Sequence, residues 1–167
     1  MTRYMRRKEV LGVREAEEGL NMVMDQYDAL RLENQLCFPL YAASREIIKR
    51  YHPYLTELGL TYTQYIAMMV FWADKKISVK ELGQKLFLDS GTLTPVLKSL
   101  EEKGYVNRRR SSEDERVLIV EITETGEALK ERAVSVPEKI AGCVSLDSEE
   151  AMHLYGLLYK ILDSMGE

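Results

Sequence analysis

Apolar positions along this chain recur mostly every three or four residues, which predicts a helical protein with one break in its rhythm. Leu32, Leu36, Leu40, Ile47, Tyr51 and Leu55 fall on one stripe, giving a long first helix that Gly59 ends. Pro39 and Pro53 bend that helix or mark its turns. Thr61 followed by Gln64 is a capping box and opens a second helix through Tyr65, Met68, Met69 and Trp72. Ser78 with Glu81 is another, opening a short helix from Val79 to Leu86. A cap between Asp89 and Thr92 starts a fourth helix carrying Leu93, Val96, Leu97 and Leu100, which stops at Gly104.

The period then shortens. Tyr105 to Arg110 and Val117 to Ile122 read as two strands joined by the polar stretch from Ser111 to Arg116. Thr123 caps a fifth helix that Pro137 ends or kinks, and Asp147 with Glu150 caps a last one through Leu154, Leu157, Leu158 and Ile161. The expected fold class is mainly α with a small β-wing, a winged helix-turn-helix. Such a unit has a physical use: one helix braces the DNA backbone while the next enters the major groove, about 12 Å wide. A hairpin beside it reaches the adjacent minor groove with cations at its tip. A small helical bundle with an incidental hairpin would share the pattern, but the arginines on this hairpin favour DNA.

Composition narrows the picture. The chain has 167 residues, 46% apolar and 30% charged, enough for one well-buried domain and ordinary for a soluble protein. Its longest apolar run, Tyr65 to Ala73, is far short of the roughly 20 residues of a membrane helix. No basic and apolar leader opens the chain, and two cysteines are too few for a disulfide scaffold, so a cytoplasmic protein is expected. With no CxxC or HExxH, and with His52 and His153 far apart, no metal and no cofactor are expected. The net charge of -4 hides a gradient: Lys75 to Arg116 holds ten Lys/Arg against seven Asp/Glu, a balance of +3, while the rest carries -7. A basic middle suits a surface that faces phosphates.

These residues resemble the MarR family of dimeric winged-helix regulators. Asp114-Glu115-Arg116 with the strand Val117-Leu118-Ile119 looks like its wing motif, and Leu88 to Leu97 (LDSGTLTPVL) is similar to its recognition helix and preceding turn. Ile122-Thr123-Glu124-Thr125-Gly126 resembles the start of the helix after the wing. Leu32 to Phe38 (LENQLCF) and Tyr62-Thr63-Gln64-Tyr65 look like the organic-hydroperoxide-sensing branch, OhrR. The resemblance covers about residues 31 to 166. It implies a homodimer in which the first and last helices of both chains interlock. Two amphipathic terminal segments that need a partner for their apolar faces agree with this. The implied organisation is an extension over 1–30, a first dimerisation helix with the sensing cysteine over 31–60, the DNA-binding winged helix-turn-helix over 61–122, and C-terminal dimerisation helices over 123–167.

The DNA-facing set follows. Ser90, Thr92 and Thr94 sit where the fourth helix begins and meet base edges or phosphates, and Lys98 lies one turn on and meets phosphate. If Thr92 is the cap, Pro95 falls in the first turn; if Ser90 is, one helical bond is lost. Arg116 enters the minor groove at the wing tip, held by Asp114. Alternation puts Arg108 and Arg110 on one strand face, toward DNA, and Arg109 on the other.

Ten tyrosines against three phenylalanines is an unusual ratio for a core. A phenol can donate a hydrogen bond to a thiolate, and Tyr41, four residues after Cys37, shares its helix face. Such bonds favour the thiolate, the form that attacks a peroxide and becomes a sulfenic acid. A lone cysteine on an apolar helix face is otherwise inert packing. The OhrR resemblance implies that Cys37 senses organic hydroperoxides, with Tyr41, Tyr51 and Tyr62 as the surrounding phenols, some of them from the partner subunit. It also implies one of two fates for the sulfenic acid. Cys143, 106 positions after Cys37, resolves it across the subunits, or a small thiol does and Cys143 merely packs.

The expected function is thus a dimeric repressor of double-stranded operator DNA, released by organic hydroperoxide. Alternatives are a MarR-type repressor responding to a small phenolic ligand, a broader thiol-based redox regulator, and a peroxidase using Cys37, for which wing and recognition helix would have no purpose. Residues 1–30 carry Arg3, Arg6, Arg7 and Lys8 and then the acidic stretch Glu15 to Glu18. They read as a basic arm, as a helix packed on the dimer, or as a segment preceding a start at Met22 or Met24, since Glu17-Glu18-Gly19 permits a ribosome-binding sequence.

Overall fold

The computed structural model describes residues 27–165, so the alternatives for the basic and acidic stretches and for a start at Met22 or Met24 lie outside the described residues. The chain divides into two compact units, one ending at Glu46 and one beginning at Ile47. In the first, two 3-10 turns, Asp28–Leu30 and Leu32–Asn34, precede helix α1 (Cys37–Glu57). Asn34 Nδ2 donates to the Asp28 carbonyl at 2.8 Å, and Arg31 pairs with Asp28 at 3.0 Å.

The apolar stripe predicts a helix from Leu32, yet α1 starts at Cys37. Pro39 explains the shift. Starting at Cys37 leaves it in the first turn, where its missing N–H has no intrahelical partner to lose. Pro53 stays inside α1 and does not end it. Gly59, at φ +68°, does what its sequence position suggests: the Leu60 N–H reaches back to the Leu55 carbonyl at 2.9 Å and closes the helix end.

The second unit is built as the pattern suggests. Helix α2 (Tyr62–Asp74) has the full Thr61–Gln64 capping box, and α3 (Val79–Leu86) the Ser78–Glu81 box. Helix α4 (Ser90–Glu102) follows, capped by Asp89, whose carboxylate accepts from the Thr92 N–H at 2.8 Å. Strands β2 (Val106–Arg110) and β3 (Leu118–Ile122) form the wing. A third strand that periodicity does not reveal, β1 (Lys76–Ser78), pairs antiparallel with β3, giving the order β1-β3-β2. At three residues it exists only because β3 supplies its partners.

Thr123 caps α5 (Glu124–Ala133), accepting from the Gly126 N–H at 3.0 Å. Pro137 does not end or kink that helix; it sits in the first turn of a separate short one, α6 (Val136–Ala141), where a proline costs nothing. Asp147 and Glu150 form the expected reciprocal cap of α7 (Ser148–Met165).

Leu55, Met68, Phe71, Leu82, Leu93, Leu97, Leu100, Val106 and Val120 form a buried core around the helix-turn-helix, joined by Leu129, Ala133, Val136 and Ile140 from α5 and α6. Gly126 matters to it. A Cβ there would lie 2.2 Å from the Tyr105 carbonyl oxygen, so only glycine lets α5 approach the base of β2. Trp72 Nε1 donates to the Gly126 carbonyl at 2.8 Å and fixes the same contact from α2. Helix α7 has no buried residue, and Leu154, Leu157 and Leu158 on its apolar stripe face solvent within the chain. No helix among the described residues is long and apolar enough to cross a membrane.

Candidate functional site

Helix α4 presents its buried side, Leu93, Leu97 and Leu100, to the core and leaves Ser90, Thr92, Thr94, Pro95 and Lys98 exposed. With Asp89 as the cap, neither of the two registers weighed for Pro95 holds. It is the sixth helical residue, and its nitrogen cannot donate to the Gly91 carbonyl. A proline that deep in a helix costs about 3 kcal/mol. Thr92 Oγ1 donates to Asp89 Oδ2 at 2.9 Å and Thr94 Oγ1 to the Ser90 carbonyl at 2.6 Å, so both hydroxyl protons are held within the helix. Lys98 pairs loosely with Glu102, at 3.9 Å.

The wing is framed by its arginines, each in a different way. Arg108 and Arg110 share a face, as alternation requires, and Arg109 crosses to Glu121 on β3 at 3.3 Å. Arg108, with a side chain only 24% exposed, donates through Nε and Nη2 to Glu101 of α4 at 2.8 and 2.6 Å. Arg110 Nη1 donates to the Glu115 carbonyl at 3.1 Å. Both arginines assigned to DNA from the sequence therefore work within the protein here, tying the wing to α4 and bracing its loop.

Arg116 differs. Its side chain is 91% exposed, and Asp114 accepts from its Nε, its Nη2 and its backbone N–H, each at 3.0 Å. That planar fork aims the guanidinium outward instead of leaving it to sweep. The Arg116 side-chain bonds, with its backbone N–H adding to them, hold the Asp114 carboxyl below the usual carboxylate range.

Carboxylates of this kind fix a pH dependence. Hydrogen bonds lower Asp89 (from the Thr92 N–H first), Glu81 (from the Ser78 hydroxyl first) and Glu101 (from Arg108 first). A depressed carboxylate stabilises the fold above its unfolded pKa, and that stability is lost as pH falls through the folded one. The melting temperature is therefore expected to hold near neutrality and fall below about pH 4. Asp89→Asn, which caps without titrating, should reduce the fall. Thermal melts at pH 7 and pH 3 check this, and an unchanged slope in the variant would remove Asp89 from the explanation.

The thiol residues occupy both units. In the first, Cys37 opens α1 and is exposed within the chain. Tyr41, one turn on, accepts from Arg45 Nη1 at 2.9 Å, with the guanidinium 5.4 Å from its ring centre. Arginine has no acceptor, so the Tyr41 proton stays available for one. In the second unit, Tyr51 and Tyr62 meet edge to face at 5.0 Å, Tyr51 lies 6.0 Å from Tyr65, and Tyr65 lies 6.2 Å from Trp72. Burial pushes the phenols of Tyr51 and Tyr62 up from their ordinary value, so both keep the proton that a donor to an anion needs. Cys143, just after α6, is exposed, and its Sγ donates weakly to the Lys139 carbonyl at 3.4 Å.

Sequence spacing misses several of these contributors. Glu101 and Arg108 are seven residues apart across a turn, and Arg45 meets Tyr41 from the next turn of α1. The Arg45 contact was available from its i, i+4 spacing.

Residues 49–133 match the family model of the transcriptional regulator SarA/Rot. The chain is 45% identical over 141 residues to the organic hydroperoxide resistance transcriptional regulator of Bacillus subtilis, spanning 84% of this chain and 96% of that one. Among solved structures it is similar to reduced AbfR bound to DNA, at 36% identity and TM-score 0.67, over 81% of this chain and 94% of the other. The disulfide-formed AbfR is also similar, at 35% identity and TM-score 0.59, over 83% and 94% of the two chains. AbfR is a protein of Staphylococcus epidermidis.

Proposed function

The chain belongs to the MarR family of winged-helix transcriptional regulators, on the branch of the organic hydroperoxide resistance regulator, and we propose that it is a homodimeric operator-binding repressor released when an organic hydroperoxide oxidises Cys37. Its relatives are regulators and not enzymes. The observation that carries the DNA half is the Asp114–Arg116 fork at the exposed tip of the wing. Arg116 enters the minor groove while α4 lies in the major groove; Arg108 keeps the two elements in register through Glu101, and Arg110 braces the wing loop. Lys98 meets phosphate. Support for a homodimer comes from α7, whose apolar stripe no described residue of its own chain buries.

The redox half is supported by the hydroperoxide regulator's similarity and by the AbfR chain, solved both reduced on DNA and with a disulfide formed. The Cys37 thiolate attacks the outer peroxide oxygen, the O–O bond breaks, and the alkoxide leaves as the alcohol after taking a proton. Cys37 loses two electrons and becomes a sulfenic acid. The protonated phenols of Tyr41, Tyr51 and Tyr62, some of them from the partner subunit, serve as donors to the thiolate, and the loss of these hydrogen bonds on oxidation moves α1 and changes the spacing of the two recognition helices. Cys143 of the partner then condenses with the sulfenic acid, forming a disulfide and releasing water.

Non-reducing electrophoresis tests the last step. Hydroperoxide is expected to give a dimer band in the native protein and none in Cys37→Ser or Cys143→Ser; a band that survives Cys143→Ser rules Cys143 out. Peroxide consumption checks the regulator reading at the same time: one equivalent per Cys37 and then nothing, where turnover with a reductant would mark an enzyme. Operator DNA for these and later tests is the duplex that the reduced protein selects from a randomised pool. Release from it by salicylate and not by peroxide would replace the redox reading with a ligand-responsive one.

A further inference from the structure

The solvent-facing side of α4 is poor in hydrogen-bond donors. Of the side chains that read guanine or adenine with two bonds, Arg, Asn and Gln are absent from this helix, and Lys98, the one lysine, is the residue assigned above to phosphate. Thr92 and Thr94 direct their hydroxyl protons to Asp89 and to the Ser90 carbonyl, leaving oxygen lone pairs and methyl groups as what they can bring to a base. Pro95 has no N–H, and its exposed ring is not among the residues that pack on the core. A helix interior bearing a proline that returns nothing to the fold breaks a local rule, and such breaks belong at functional sites.

We propose that the Pro95 ring and the Thr94 methyl form an apolar reader of thymine 5-methyl groups in the major groove. The threonine oxygens, acceptors only, take the amino group of the paired adenine. The combination selects A·T pairs: cytosine offers an amino donor but no methyl, and guanine offers only acceptors, which meet lone pairs here. This rests on the reading that α4 enters the major groove.

The test replaces each thymine of the selected duplex in turn with uracil, which removes the methyl and nothing else. Binding is expected to weaken about fourfold at a contacted step and about fifteenfold when both half-sites are changed. Thr94→Ser, which keeps the bond to Ser90 and deletes the methyl, and Pro95→Ala should bind thymine and uracil duplexes alike at their own steps. Pro95→Ala should also melt higher, since it restores a helical N–H. That combination separates base reading from a structural role. Equal affinity of the native protein for every uracil duplex overturns the proposal, as does discrimination that persists undiminished in both variants. Unchanged affinity in a Lys98→Ala, Arg116→Ala double variant would instead remove α4 and the wing from the interface, and with them the underlying reading.

Discussion

Arg116→Ala is expected to weaken operator binding about a hundredfold, roughly tenfold at each of two half-sites. The side chain buries nothing within its own chain, so the loss should come without a fall in melting temperature. What disappears is a cation already oriented by Asp114, and orientation matters because an ordered donor loses less freedom on binding. The slope of affinity against salt should fall by about one for each wing. Asp114→Ala should move affinity in the same direction by less, since the guanidinium is kept but no longer aimed. Gel-shift titrations across a salt series read both effects. An affinity within threefold of the native protein would take the wing tip out of the interface.

Cys37→Ser is expected to abolish the response to hydroperoxide while leaving the reduced-state affinity near that of the native protein. A hydroxyl has the size to fill the place of the thiol but not the nucleophilicity to open an O–O bond. The native protein should lose roughly a hundredfold in affinity on oxidation, because poorer geometry at both half-sites takes a few kcal/mol from a symmetric complex. The variant should lose nothing. Tyr62→Phe and Tyr51→Phe should fall between, slowing release without preventing it, since each deletes one donor and keeps its ring in the edge-to-face pair. A Cys37→Ser protein that still leaves DNA on peroxide addition would place the sensor elsewhere.

The parts of this molecule that were legible in its sequence are those set by local physics. The reciprocal caps at Thr61–Gln64, Ser78–Glu81 and Asp147–Glu150 mark helix starts because both partners lie within one turn. The wing strands follow from a change of period, and Asp114 and Arg116 are two residues apart. Contacts made by the fold itself were not legible. β1 depends on β3 more than forty residues later, and no pattern within Lys76–Ser78 announces it. The stripe that runs on through Leu32 and Leu36 overstates α1, because periodicity is blind to the proline that fixes where the helix begins. The charge of Arg108 shows in the sequence, whereas its pairing with Glu101 across the α4–β2 turn does not.

The redox state of one sulfur sets the grip on DNA in the proposed mechanism, and one titration tests it directly. The selected duplex is titrated with reduced protein, with protein given one equivalent of cumene hydroperoxide, and with the same sample after reductant. Affinity should drop roughly a hundredfold on oxidation and return on reduction. Three superimposable curves, with oxidised Cys37 verified by mass spectrometry, would contradict the account.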